Sequence, residues 1–139
     1  MKAKPSKPLA NKKPKKVVKT PRVERTRNFG TQTESEFFGR LRAMLRGMTR
    51  YWKPINEKRK SVKVGTGRNA KYYCENCKTL HDKIEINHKI PVGTLRSYSD
   101  LAGFCERLFS ENLSDFDAFC VKCHLEITKN QRSKLSFAN

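Results

Sequence analysis

Apolar residues recur at three- and four-residue steps through Phe37, Phe38, Leu41, Met44, Leu45, Met48, Tyr51 and Trp52, and on a helical wheel they form one stripe. That period predicts an amphipathic helix over residues 34–52. Thr33-Glu34-Ser35-Glu36 has the form of a capping box that would open it. The helix is expected to stop before Pro54, because a residue preceding proline avoids helical angles. Arg42, Arg46 and Arg50 are spaced by four and fall opposite the stripe, either as a solvated basic face or as phosphate contacts. Residues 53–71 read as a basic connection. Within it Gly65-Thr66-Gly67-Arg68 reads as a turn, since it lacks a full phosphate-loop fingerprint. Ile84 and Ile86 then alternate with Glu85 and Asn87, the pattern of a half-buried strand, which Pro91 and Gly93 break. From Asp100 the positions Leu101, Phe104, Cys105, Leu108 and Phe109 predict a second helix with an apolar face. A loop over 111–114 and a short strand over 116–119 follow. A last helix is expected over about 124–133, with Lys129, Arg132 and Lys134 near its end, where cations suit the helix dipole. Phe104, Phe109, Phe116 and Phe119 are expected in the core.

Cysteines change this picture. Cys74-Glu75-Asn76-Cys77 and Cys120-Val121-Lys122-Cys123 each place two thiolates on one tight turn, and together they offer the four soft ligands of a closed tetrahedral zinc site. In a reducing compartment such pairs indicate metal and not disulfides. The alternative is that His88 or His124 completes the site in place of a cysteine. Cys105, odd by count, is expected to be a buried thiol, and His81, with no partner at useful spacing, a surface residue. If the four thiolates share one zinc, His88 and His124 are drawn towards each other.

At 139 residues the chain has room for one domain and an arm. Residues 1–27 hold eleven lysines and arginines and one acid, so +10 of the net +18 falls there. Proline, mutual repulsion and little to bury predict a disordered basic arm over 1–30, with the folded domain over 31–139. The arm either solubilises the chain or adds non-specific phosphate contacts. The run Lys12–Lys16 also has the form of a weak nuclear-localisation signal. The excess charge points to a polyanionic partner, a ribosomal or chromatin-like role included. No apolar run approaches a membrane span and no signal core follows the basic start, so an intracellular protein with no membrane partner is expected.

The run Ile86-Asn87-His88-Lys89-Ile90-Pro91, with Asp115-Phe116-Asp117-Ala118-Phe119-Cys120 and Cys123-His124-Leu125-Glu126-Ile127-Thr128, resembles the HNH nucleases. The likeness is closest to the small zinc-binding HNH endonucleases of tailed phages. It implies a small α+β fold: a ββα-metal core over 72–134 stapled by a four-cysteine zinc site, with an N-terminal amphipathic helix and an inserted helix. It implies hydrolysis of DNA phosphodiester bonds, by nicking or double-strand cleavage, leaving 5′-phosphate and 3′-hydroxyl ends. His88 takes the place of the general base, a role that suits a side chain titrating near neutral pH whose two nitrogens can serve separately, one for water and one for an orienting carbonyl. Asn87 stands where an aspartate usually binds the catalytic divalent ion, and His124 takes the place of the second ligand. Asp115 stands where the middle asparagine orients the histidine, and in some members that residue ligates the metal itself; Asn112 is the runner-up for the position. The implied cofactors are structural Zn²⁺ and catalytic Mg²⁺ or Mn²⁺, with Zn²⁺ or Ni²⁺ as alternatives. The implied partners are double-stranded DNA, met by Arg42, Arg46, Arg50, Lys89, Lys129 and Arg132, and other phage DNA-processing proteins in a bacterial cytoplasm.

The departures matter. An amide at position 87 lacks the charge hard cations prefer, so Asp115 is expected to supply the missing carboxylate. Ile127 stands where the family often has lysine, so one phosphate contact is expected to be missing. The rival expectations are a zinc-dependent nucleic-acid-binding protein without catalysis, and a binder of structured RNA.

Overall fold

The structure, a computed structural model, describes residues 21–136; the lysine-rich run over 1–20, with Lys12–Lys16, and residues 137–139 lie outside the described residues. The chain forms a small α+β unit. Its order is α1 (Glu34–Met48), α2 (Lys53–Ser61), β1 (Lys63–Val64), β2 (Lys71–Tyr73), β3 (Leu80–His81), β4 (Glu85–His88), α3 (Leu101–Leu108), β5 (Phe116–Phe119) and α4 (Val121–Ser136). Strands β1, β2 and β3 form one antiparallel sheet; β4 and β5 form a second, with Glu85 opposite Phe119 and His88 opposite Phe116.

The capping box at the start of α1 is formed. Thr33 Oγ1 accepts from the Glu36 N–H at 3.1 Å, and the Glu36 carboxylate accepts from the Thr33 N–H at 2.8 Å. The helix ends at Met48 and tightens into a 3-10 turn over Thr49–Tyr51, earlier than expected. Pro54 then opens α2, in the first turn of a helix where its missing N–H leaves nothing unsatisfied. The presumed connection over 53–71 therefore holds a helix and a β-hairpin. Its periodic signal is thin because Ile55 alone of α2 is buried. The turn at Gly65-Thr66-Gly67-Arg68 is present, with φ +82° and +67° at its glycines.

The stripe on α1 is only partly covered. Phe38 is buried and Phe37, Leu41 and Leu45 are half-buried, whereas Met44, Met48 and Tyr51 stay 70%, 57% and 79% exposed. So small a domain offers the helix one packing edge, not a whole face. Nor does Arg46 point away from the core: its guanidinium lies 5.7 Å from the Phe104 ring centroid.

Two cores result. One gathers Val62, Cys74, Ile84, Ala118, Phe119, Cys120 and Cys123, with Tyr72, Ile86 and Ile127 against it. The other joins α1 to α3 through Phe38, Val92, Leu95, Phe104 and Leu108. Of the four phenylalanines expected inside, Phe104, Phe116 and Phe119 are buried and Phe109 is half-buried. Cys105 is a half-buried free thiol and not a buried one. Of the expected arm, residues 21–30 are described, and they carry contacts to the domain. Arg27 pairs its backbone with Gln32, bridges to Glu34 at 2.9 Å, and stacks within 5.1–5.7 Å of Phe37, Phe38 and Tyr98. Among the described residues no helix is long and apolar enough to cross a membrane.

Candidate functional site

Strand β2 delivers Cys74 into a tight turn closed by two bonds: Cys74 N–H to Thr79 O at 2.9 Å, and Lys78 N–H to Cys74 O at 3.0 Å, with Lys78 at φ +61°. Strand β5 runs straight into Cys120, and the first turn of α4 carries Cys123. The four sulfurs lie within 4.8 Å of one another, a set that can hold a metal ion such as zinc. Cys120 N–H donates to Cys74 Sγ at 3.2 Å, so the second turn supports a ligand of the first. Glu75 ties the halves together: its N–H donates to Ala118 O at 2.9 Å, its carboxylate accepts from Ala118 N–H at 2.6 Å, and Lys58 Nζ sits 2.7 Å away. Neither His88 nor His124 belongs to the cluster, so no histidine replaces a cysteine in it.

His81, expected on the surface, is half-buried. Its Nε2 lies 2.8 Å from Thr79 Oγ1 and 3.2 Å from Cys77 Sγ. Contacts from Thr79 first, then His81, draw the exposed Cys77 thiol down to about 5. Cys123 is pushed up to about 11: its contact with Asn76 lowers it, and Cys120, burial and the other two thiols outweigh that contact. A bound divalent ion would take all four cysteines as thiolates.

Beside this centre lies a cleft of about 600 Å³. It is lined by Arg46 near the end of α1 and Thr49 of the turn after it, Ile55 and Arg59 of α2, Asn87 and His88 of β4, Leu108 of α3, and His124, Thr128 and Arg132 of α4. The His88 ring stands edge-on to Phe116 with centroids 5.0 Å apart, and its Nε2 lies 3.0 Å from the Leu108 carbonyl oxygen. A carbonyl only accepts, so Nε2 carries the hydrogen, and in the neutral ring the Nδ1 lone pair is left free. Burial holds the His88 pKa below the ordinary imidazole value; the charge of Arg46 adds to this and the Leu108 bond opposes it.

Asn87 is buried at 8% exposure, and its Nδ2 donates to the His88 carbonyl at 3.1 Å. Its Oδ1 accepts no hydrogen bond among the described residues. His124 meets the Glu85 carboxylate through Nδ1. One imidazole nitrogen and one amide oxygen fit a first-row divalent ion such as Mn²⁺, Ni²⁺ or Zn²⁺ better than Mg²⁺.

Asp115 sits elsewhere. Its carboxylate accepts from the Ser110 hydroxyl, and it lines a separate recess of about 140 Å³ with His88, Ile90, Glu106, Arg107 and Ser110. Among the described residues no hydrogen bond joins its side chain to His88, and it does not line the cleft shared by Asn87 and His124. Among the described residues the ring of His88 meets the Leu108 carbonyl and not Asp115, whose backbone oxygen accepts from Lys89 N–H at 2.9 Å just past β4. Asn112, the runner-up, is exposed and donates its N–H to Ser110 Oγ at 3.2 Å.

The expected basic contacts divide. Arg46 and Arg132 line the cleft; Arg42, Arg50, Lys89 and Lys129 do not. Arg50 stacks on Tyr51, Lys89 faces Asp117 at 3.6 Å, and Lys129 is exposed. Arg59 was missed because it lay in the stretch taken for a connection. Its signal was Pro54 followed by Ile55, a helix start with one apolar anchor. Ile127 packs on the cysteine-side core, so an apolar residue there has a structural place. Comparison of the chain with protein-family models, with curated proteins and with solved structures finds no match, which leaves the residues of this cleft to speak for its chemistry.

Proposed function

We propose that the chain is a metal-dependent HNH endonuclease that hydrolyses DNA phosphodiester bonds, with His88 as general base. The observation that carries this is the state of His88. Its Nε2–H is committed to the Leu108 carbonyl, its pKa is held low, and the ring lines a cleft with Asn87, His124 and three arginines. The order β4, β5, α4, with Asn87 and His88 on the first strand and His124 on the helix, also supports a ββα-metal reading.

His88 Nδ1 takes a proton from a water molecule. The water oxygen then bonds to phosphorus, the P–O3′ bond breaks, and the 3′-oxygen leaves with a proton from solvent. Asn87 Oδ1 and His124 would hold a divalent ion, which when bound neutralises charge on the phosphate and the leaving oxygen. Arg46, Arg59 and Arg132 neutralise phosphates along the cleft, so binding falls steeply with added salt.

One feature favours a second reading, a zinc-dependent nucleic-acid binder without catalysis: Asn87 brings no charge to the ion. A plasmid-nicking assay with Mn²⁺, Mg²⁺, Ni²⁺ or Zn²⁺ separates the two. Cleavage by the parent, abolished in His88→Ala with DNA binding retained, is the expected result. A parent that binds DNA and cleaves it with none of the four ions sinks the endonuclease and leaves the binder. Tighter binding to structured RNA in competition would move the substrate class to RNA.

A further inference from the structure

Resting on the reading of His124 as a ligand in that cleft, we propose that Glu85 is its positioning residue: the carboxylate fixes the imidazole tautomer and lends the site the negative charge that Asn87 lacks. The Glu85 carboxylate meets His124 at Nδ1, and carboxylates only accept, so Nδ1 carries the hydrogen. In the neutral ring the lone pair is then on Nε2. His124 lines the cleft and its Nδ1 is taken by the carboxylate, so Nε2 is the nitrogen left for an ion.

Both partners are held. Glu85 and Asn87 alternate on β4 and so leave the same face of the strand. Glu85 is in register with Phe119, the residue before Cys120, and His124 N–H donates to Cys120 O at 2.9 Å. The cysteine cluster therefore sets the distance between the carboxylate and the imidazole. A carboxylate behind a metal-binding histidine keeps the tautomer right and raises the basicity of the ligating nitrogen, and its loss weakens metal affinity or activity about 10–100-fold. The competing explanation is an exposed ion pair, worth almost nothing and with no hold on the tautomer.

Long-range ¹H–¹⁵N spectra of the full-length, zinc-loaded chain read the His124 tautomer, and titration with Mn²⁺, followed by the magnetic resonance signal of the free ion, reads affinity. His124→Ala assigns the Mn²⁺ site. The parent is expected to carry the hydrogen on Nδ1. Glu85→Ala should lose that preference and bind Mn²⁺ about 10–100-fold more weakly. Glu85→Gln keeps an acceptor oxygen, so it should keep the tautomer and lose less affinity. Glu111→Gln, the same charge change on an exposed loop, should alter neither. Hydrogen on Nε2 in the parent, unchanged Mn²⁺ affinity in Glu85→Ala, or no Mn²⁺ binding by the parent would each overturn the inference. None of these readouts needs cleavage: a parent that binds Mn²⁺ through an oriented His124 yet leaves DNA intact keeps Glu85 in its role and removes the endonuclease.

Discussion

His88 donates from Nε2 to the carbonyl oxygen of Leu108 across 3.0 Å, and that bond joins the two halves of the molecule. Leu108 is the last residue of α3, so its carbonyl is one of those a helix leaves without an internal partner. β4 is rooted in the cysteine-side core through Ile86, whereas Leu108 belongs to the α1–α3 core. The imidazole thus satisfies an orphan carbonyl and is aimed by it in return.

A low pKa at His88 has a pH signature. In the proposed reaction the base must be neutral, so the rising limb of cleavage against pH should have its midpoint below the ordinary imidazole value of about 6.5. Stability moves in the same sense. As pH falls below about 6.5 the unfolded chain takes up a proton at position 88 before the folded chain does, so stability is lost on acidification until the folded ring protonates too. Urea unfolding of the parent and of His88→Gln at pH 7.5 and 5.5 checks this. The variant should show the smaller acid loss, and equal losses would mean that the burial of His88 has no energetic consequence.

What was legible in the sequence was mostly local. The Thr33–Glu36 box was readable because the cap and the residues it caps are three apart. The strand over 116–119 was readable as a short apolar-rich run leading into a cysteine pair. The two- and three-residue strands β1, β2 and β3 are too short for any period to show. Periodicity said which residues of α1 share a face, but not what covers it, and so overestimated the burial of Met44, Met48 and Tyr51. At His88 an orienting carbonyl was foreseeable but its owner was not: every residue has a backbone carbonyl, so nothing in the letters marks Leu108 as the acceptor. Glu85 could have been found, since strand alternation already puts it on the face of Asn87.

A zinc ion held by the four cysteines would anchor the cysteine-side half, so its removal should unfold that half. Structural zinc contributes apparent binding energies of about 10–16 kcal/mol in small peptides, as large as the whole stability of a typical domain, about 5–15 kcal/mol. Cys74, Cys120 and Cys123 are buried and central to one of the two cores. A strong chelator is therefore expected to abolish the cooperative melting transition, with one zinc released per chain. Cys74→Ser should do the same without chelator, and Cys105→Ser, outside the cluster, should still bind one zinc. Retention of the parent's melting temperature after complete zinc release would contradict this assignment.

Glu75 should matter more for stability than its place on an exposed turn suggests. Ala118 is fully buried, its register partner on β4 is Ile86, and both of its backbone polar groups bond to Glu75. Glu75→Ala strands the buried Ala118 N–H, an omission that costs about 1–3 kcal/mol. Glu75→Gln keeps an acceptor and loses mainly the ion pair with Lys58, so it should fall between the parent and Glu75→Ala. Denaturant titration of the zinc-loaded proteins measures the difference, and equal stability of Glu75→Ala and the parent would show that another group takes over the Ala118 N–H.

Arg59 separates the role of the cleft from that of bulk charge. Arg46, Arg59 and Arg132 line the cleft with His88, whereas Arg42 and Arg50 carry the same charge outside it. Each phosphate contact adds about 0.9 to the slope of log affinity against log salt for duplex DNA, so losing one such contact lowers the slope by about that much. Arg59→Ala should therefore weaken binding to unrelated duplexes to a similar degree, reduce the salt slope by about 1, and slow cleavage with the fold intact. Arg42→Ala should change the slope far less, because a charge outside the cleft interacts through screening solvent. The comparison needs only salt titrations of three proteins on one duplex. If Arg42→Ala and Arg59→Ala lost equally, phosphates would be following the surface of α1 and not the cleft that holds His88.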